Sequence, residues 1–271
     1  MRKRKDIHEY LDDNQKKAVE ALVELKRICD RHNIEFYLIA GSCLGAVRHK
    51  GMIPWDDDVD VGFLYDDWKK LKSVISDELQ NGFSYIDNDI DSSYPRLFGK
   101  VLYDKKPCVD LFLLAKWTNK KWSGLLHWRI RIFAVEGFKF TLQKNKKACR
   151  PGDSKMVCIK NKMHFFIQSC IFFVLSPFVS TKWYVDIARK NEVYFEGLEN
   201  DYCYINLYSV YSRKKEQIKR EWVEDNPSLV EFEGEFYNTL SDTDAYLRHL
   251  YGDYMTLPPE SERKRIHDVV F

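Results

Sequence analysis

Three aspartates set the chemistry open to this sequence. Asp58 and Asp60 stand two residues apart in WDDDVDVGF, where alternation predicts a strand over 58–63. Side chains at i and i+2 of a strand share one face. Both carboxylates therefore point one way, and Val59 and Val61 point the other, towards a core. Two carboxylates on one face repel unless a cation lies between them. Magnesium takes oxygen ligands and typically uses one or two carboxylates plus substrate phosphates. The pair is thus a candidate platform for Mg2+, or for Mn2+ in its place. Asp56 has the same parity but sits near the turn at Pro54 and ranks below the other two. Asp57 faces oppositely if the strand starts that early. The third carboxylate, Asp110, lies in the apolar run CVDLFLL. A carboxylate in a buried strand is costly unless it is paired or metal-bound, so Asp110 asks for a partner. A bare Asp-x-Asp is weak evidence, since a solvated acidic loop or a calcium site carries it as well. The company of Asp110 raises it.

The elements that must position these acids can be read in outline. Apolar residues at helical spacing (Ala18, Ala21, Leu22, Leu25, Ile28) predict an amphipathic helix over 14–31. Residues 35–40 read as a short buried strand, closed by Gly41 and Ser42. Cys43 to His49 reads as the next helix. Backbone N–H groups at a helix start attract phosphate, and glycine permits close approach, so Gly41 and Ser42 are candidate phosphate ligands. Residues 66–79 read as a helix, and 95–102 and 109–114 as strands. In the second half, 183–198 reads as a helix, 229–237 as a strand and 242–250 as a short helix. The mixture implies an α+β class, a sheet layer backed by helices.

Strand, Gly-Ser, helix, then Asp-x-Asp on a strand, then a lone Asp on a later strand is the arrangement of the polymerase-β-like nucleotidyltransferases. GSCLGAVRHKGMIPWDDDVDV is more specific: it resembles the signature of the LicD family, which includes the fukutin-related proteins. VDLF resembles that family's third-carboxylate strand. The late YGDYMTLPP, followed by Arg263 and His267, resembles its closing motif. The resemblance covers residues 20–112 and 220–267. It implies a nucleotidyltransferase-like core over 1–118 and a mainly helical C-terminal part over 119–271 that carries the closing motif. It further implies transfer of phosphocholine, or a related phospho-alcohol, from CDP-choline or another CDP-alcohol. The acceptor is then a hydroxyl of a cell-surface glycan such as lipopolysaccharide or teichoic acid, and CMP leaves. Asp58, Asp60 and Asp110 become the catalytic metal ligands on this reading. Asp110 is also a candidate acceptor of the attacking hydroxyl's proton. Arg48 and Lys100 are candidate phosphate ligands. Trp55, Tyr94 and Trp128 are candidates for an aromatic cage around a quaternary ammonium. Two other functions stay open: a nucleotidyltransferase acting on a small acceptor, which shares the acids, and a non-enzymatic glycan- or membrane-binding protein.

Bulk properties narrow the classes. The 271 residues carry 43 Lys+Arg against 41 Asp+Glu, a net +2. That balance gives no global case for a nucleic-acid partner. Seven scattered cysteines contain no Cys-x-x-Cys pair, which argues against a zinc site. With no apolar leader at the N-terminus, they fit a reducing cytoplasm. Residues 139–162 hold eight Lys or Arg and one acid, and an apolar stretch over 163–179 follows. It is shorter than the roughly 20 residues that span a bilayer. The expectation is either a buried core helix behind a solvated basic loop or peripheral contact through 139–179 with the inner face of the membrane, where a lipid-linked glycan acceptor would sit.

Overall fold

The computed structural model describes residues 11–142, 170–208 and 211–263. A mixed sheet of seven strands lies at its centre. The helix α1 (Asp13–His32) leads into β1 (Tyr37–Leu38), α2 (Ala40–His49), β2 (Val59–Phe63) and α3 (Tyr65–Glu78). β3 (Phe83–Ile86), β4 (Gly99–Tyr103) and β5 (Lys106–Thr118) follow, then α4 (Lys121–Leu142) and α5 (Thr181–Glu192). Next come β6 (Tyr202–Asn206), α6 (Arg213–Glu216), β7 (Gln217–Ile218) and α7 (Arg220–Glu224). A hairpin, β8 (Ser228–Phe232) and β9 (Glu235–Thr239), and α8 (Thr243–Tyr251) complete the order. The sheet runs β1-β2-β5-β4-β3, with β6 added along β5 and β7 along β6. β2 and β5 are parallel, while the other pairs are antiparallel.

The apolar pattern explains the layering. Leu22, Leu25 and Ile28 of α1 are fully buried, as are Val59, Val61 and Phe63 of β2 and Val109, Leu111 and Leu114 of β5. α1 starts at a capping box: the Asp12 side chain accepts from the Gln15 N–H, and the Gln15 side chain accepts from the Asp12 N–H. Such reciprocal caps satisfy two amides that the helix leaves open. A second cluster, built around Ala134, Phe138, Phe172, Tyr184 and Ala188, joins α4 to α5. Gly137 makes this packing possible, because a Cβ there would stand 2.3 Å from the Tyr184 ring.

Several sequence expectations shift. The strand over 35–40 shrinks to Tyr37–Leu38, because α2 starts at Ala40 with Ile39 as its N-cap. Gly41 and Ser42 therefore lie in the first turn of α2, not ahead of it. The strand placed over 95–102 starts only at Gly99, and Leu97 belongs to the second cluster. The helix expected over 183–198 ends at Glu192. The strand expected over 229–237 is a hairpin, turned at Glu233 (φ 50°) and Gly234 (φ 82°). Two left-handed residues give the twist that joins right-twisted strands. β6 pairs with the last third of β5, Leu114 to Thr118 against Tyr202 to Asn206, so the sheet continues past residue 118. The described residues beyond 118 hold β6, β7 and the β8–β9 hairpin as well as the helices α4 to α8. The basic run from Lys144 to Lys162, residues 163–169 and His267 lie outside the described residues.

Candidate active site

Register builds the site. The parallel β2/β5 ladder sets Asp60 beside Asp110, and the antiparallel β4/β5 ladder sets Lys100 on the other side of Asp110. Directly paired residues share a sheet face, so Asp60, Asp110 and Lys100 form a row across three strands. Asp58 immediately precedes β2 on the same face. Carboxylate oxygens of Asp58, Asp60 and Asp110 all lie within 4.8 Å of one another. Asp56, Asp57 and Asp58 form a second such group. Strand parity separates Asp57 from its neighbours only if the strand reaches it; β2 begins at Val59, and the turn before it brings Asp57 back to the acids.

Asp58 and Asp110 are buried and Lys100 is buried with them; the Lys100 ammonium pairs directly with Asp110. Asp60 keeps partial exposure, yet protein crowds its carboxyl. Desolvation holds its pKa well above the ordinary range, and the charges of Asp58, Asp110 and Asp56 push the same way against Lys100. Five acids and one lysine in so small a volume form a strong negative site. An oxygen-only donor set with this charge fits a hard divalent cation.

The residues around the row hold it in shape. A Cβ at Gly41 would stand 3.0 Å from Asp56 Oδ2 and 3.5 Å from Asp60 Oδ2, so glycine lets the start of α2 touch the acids. The positive end of that helix lies against them, and its N-cap residue Ile39 makes no side-chain cap, an arrangement that favours negative charge. Ser42 Oγ accepts from the Asp60 N–H at 2.7 Å, which ties β2 to α2. Ala40 takes the left-handed conformation (φ 45°) and donates its N–H to the Tyr246 hydroxyl at 3.0 Å. Gln15, almost fully buried, donates its side-chain amide to the carbonyl of Asp56 at 2.8 Å and of Ile53 at 3.3 Å. It anchors the loop that delivers Asp56 to Asp58.

Other expected site residues are placed differently. Arg48 sits at the far end of α2, about 10 Å along the helix from Gly41. It donates to the Tyr254 carbonyl at 2.9 Å and to His49 Nε2 at 3.0 Å, so it ties the closing YGDYM segment to α2. Trp55 has the Arg48 guanidinium 6.0 Å and the Arg263 guanidinium 5.6 Å from its ring centre. Trp128 meets Trp117 edge-on at 6.2 Å and holds the Arg131 guanidinium at 5.5 Å. Tyr94 is buried, and its hydroxyl lacks a hydrogen-bond partner among the described residues. Burial, with the Asp110 charge behind it, pushes that hydroxyl's pKa up. No ring contact joins any two of these three aromatics among the described residues. Cys29 and His32, spaced as a Cys-x-x-His pair, diverge: Cys29 is buried in the core and His32 pairs with Glu78.

Sequence reading missed three tyrosines. Burial raises the pKa of Tyr211, Tyr246 and Tyr251, and the Asp60 charge adds to it in each case. Tyr211 and Tyr251 meet edge-to-face at 5.8 Å. Tyr251 opens the YGDYM motif, which was a usable signal; Tyr211 and Tyr246 carry none in their local sequence.

Comparison with known proteins places this geometry. Residues 33–141 match the family model described as LicD/FKTN/FKRP, nucleotidyltransferase domain. The chain is 26% identical over 249 residues to the lipopolysaccharide cholinephosphotransferase LicD of Haemophilus influenzae, covering 89% of each. It is 29% identical over 129 residues to the human ribitol-5-phosphate transferase FKTN, covering 44% of this chain and 26% of the relative. An uncharacterized protein of Rickettsia prowazekii, RP689, is 32% identical over 101 residues, 37% of this chain and 34% of the relative. The matched segment contains Gly41, Ser42, Asp58, Asp60, Lys100 and Asp110, and the chain carries a LicD-family domain over residues 33–141.

Proposed function

We propose that this protein is a magnesium-dependent transferase with a nucleotidyltransferase-like core. It moves phosphocholine, or a related phospho-alcohol, from a CDP-linked donor to a glycan hydroxyl. The observation that carries the reading is the acid row, three carboxylates within 4.8 Å of one another against the start of α2 at Gly41. The relatives named as a cholinephosphotransferase and a ribitol-5-phosphate transferase support the class of group transferred. Manganese fits the same ligands.

Asp58, Asp60 and Asp110 would hold the cation. When bound, it would neutralise the donor diphosphate and favour departure of CMP. The start of α2, beside the acids at Gly41, receives phosphate oxygens. In the transfer, the acceptor oxygen forms a bond to the phosphorus next to the alcohol, and the bond from that phosphorus to the CMP oxygen breaks. The acceptor proton passes to a carboxylate of the row, Asp110 on this reading. Lys100, paired with Asp110, orients that carboxylate. For a choline donor, the Tyr251 ring, edge-to-face with Tyr211, offers surface near Asp60 to a quaternary ammonium, whereas Trp55 and Trp128 already face guanidinium groups and Tyr211 has Lys215 Nζ 5.5 Å from its ring centre.

The deciding experiment incubates the protein and Mg2+ with CDP-choline, CDP-ethanolamine, CDP-ribitol or ATP, with and without a candidate glycan. CMP release with a matching mass gain on the glycan supports the proposal. Pyrophosphate release from ATP with a nucleotide added to the acceptor would replace it with the nucleotidyltransferase reading.

A membrane-facing role rests on a separate observation. Ile171, Phe173, Val174 and Phe178 are 48%, 73%, 66% and 85% exposed, and the basic run of the sequence precedes them. No helix among the described residues is long and apolar enough to cross a membrane. The reading is a cytoplasmic protein docked reversibly on the anionic inner leaflet, with a lipid-linked acceptor within reach. Sedimentation with anionic vesicles at low salt, lost at high salt and in a Phe173→Ser/Phe178→Ser variant, tests it. No sedimentation at low salt removes it.

A further inference from the structure

A cavity of about 220 Å³ opens beyond the Lys100 end of the acid row, between residues 95–98, α4 and the segment after β6. Phe98 joins it to the row. Its ring centre lies 5.3 Å from Lys100 Nζ and 6.0 Å from that of Tyr208, and both Phe98 and Tyr208 line the cavity. Arg131 lines it too. This side chain is only 6% exposed, with its guanidinium 5.5 Å from the Trp128 ring centre and 4.8 Å from that of Tyr208.

The polar groups there are incompletely paired. Arg131 forms no ion pair among the described residues, and its Nε has no hydrogen-bond partner; the buried Tyr208 hydroxyl faces Glu192 but makes no hydrogen bond of ordinary geometry. Glu192, whose charge Arg131 feels, accepts from Arg189 at 3.2 Å through Oε2, while its buried Oε1 has no hydrogen-bond partner; Arg189 also lies 3.9 Å from Asp89. Glu136 is engaged by Lys139 at 3.1 Å. Arg96, at the cavity's exposed edge, has no ion pair among the described residues. A buried guanidinium is costly to keep without an anion, and ring faces satisfy its charge but not its N–H groups. Its planar fork suits a phosphate or carboxylate.

We infer that this cavity binds an anionic group, phosphate or carboxylate, carried by the sugar acceptor. Arg131 is its main ligand, and Arg96 and the Tyr208 hydroxyl add to it. The inference rests on the transferase reading and deepens it by giving the acceptor a charge. The start of α2 meets the acids at Gly41, on the Asp60 side of the row, and Lys100 stands at the opposite end. In-line displacement needs donor leaving group and acceptor on opposite sides of the phosphorus, so the Lys100 side falls to the acceptor.

Isothermal titration of the full chain with glucose 6-phosphate, glucuronate, glucose and CDP-choline tests this. Wild type and Asp60→Asn are expected to bind one of the two anionic sugars equally and glucose not at all; which sugar binds identifies the anion. Arg131→Gln should weaken that binding by about tenfold or more, with CDP-choline affinity unchanged, and Arg96→Gln by about two- to fivefold. The inference is overturned if neither anionic sugar saturates the protein, if Arg131→Gln binds like wild type, or if the loss falls on CDP-choline. Should Arg131→Gln fail to fold, wild-type binding by both Arg96→Gln and Tyr208→Phe overturns it. If no CDP-alcohol yields CMP while Arg131→Gln still loses the sugar, the transferase reading fails alone and the anion site stands.

Discussion

Asp60→Asn should stabilise the metal-free protein at neutral pH and abolish turnover, a combination that an ordinary core substitution does not give. The carboxylates of Asp58 and Asp110 lie within 4.8 Å of that of Asp60. At an effective dielectric near 20, each such pair repels by about 3.5 kcal/mol, and Lys100 offsets part of this. Proton uptake caps the cost, because neutralising a carboxyl of ordinary acidity at pH 7 takes about 4 kcal/mol. Removing the charge therefore relieves roughly 1–4 kcal/mol. For a chain of this size that is a rise in Tm of roughly 3–12 °C. The pH dependence has a definite sign. Asp60 binds its proton more tightly folded than unfolded, so it costs the fold nothing below the unfolded pKa. The penalty grows as pH rises above the unfolded pKa and levels off above the folded one. The stability gap between variant and wild type should be near zero at pH 4 and widest at neutral pH. Added Mg2+ should raise the Tm of wild type and close the gap. Thermal unfolding in EDTA and in Mg2+ at pH 4, 5.5 and 7 measures all of this. A variant less stable than wild type in EDTA at pH 7, or an equal response of both proteins to Mg2+, refutes the account of the row as a cation site.

Two glycines in one helix should separate function from stability. Gly41→Ala places a Cβ 3.0 Å from Asp56 Oδ2, so turnover and Mg2+ affinity should fall while Tm moves little. Gly45→Ala places one 2.5 Å from the Gly51 carbonyl, which cannot yield, and should cost about 1–3 kcal/mol in denaturant unfolding. Gln15→Leu cuts the amide bonds to the 53–56 loop; Mg2+ affinity by calorimetry should drop about tenfold or more, and unchanged affinity would deny the loop a role. Arg48→Ala releases the Tyr254 carbonyl and should lower stability by about 1–3 kcal/mol and expose the closing segment to limited proteolysis.

What the sequence disclosed and what it hid follow from the range of each signal. Local periodicity revealed α1, and the two-residue spacing of Asp58 and Asp60 put them on one face. Long-range pairing was not legible. Lys100 and Asp110 are ten residues apart and meet only because β4 and β5 are antiparallel in one register. β6 was missed because Tyr202 to Asn206 is buried throughout and shows no alternation. Ser42 carries its hydroxyl to a β2 amide, a use that its place after glycine does not announce. The register is therefore the deeper determinant of the site. Slipping β2 by one residue would turn Asp60 into the core and Val59 and Val61 out of it. Three side chains with no exposed surface, Val59, Val61 and Phe63, make that slip prohibitively costly. They specify the position of the carboxylates as firmly as the aspartates specify the charge.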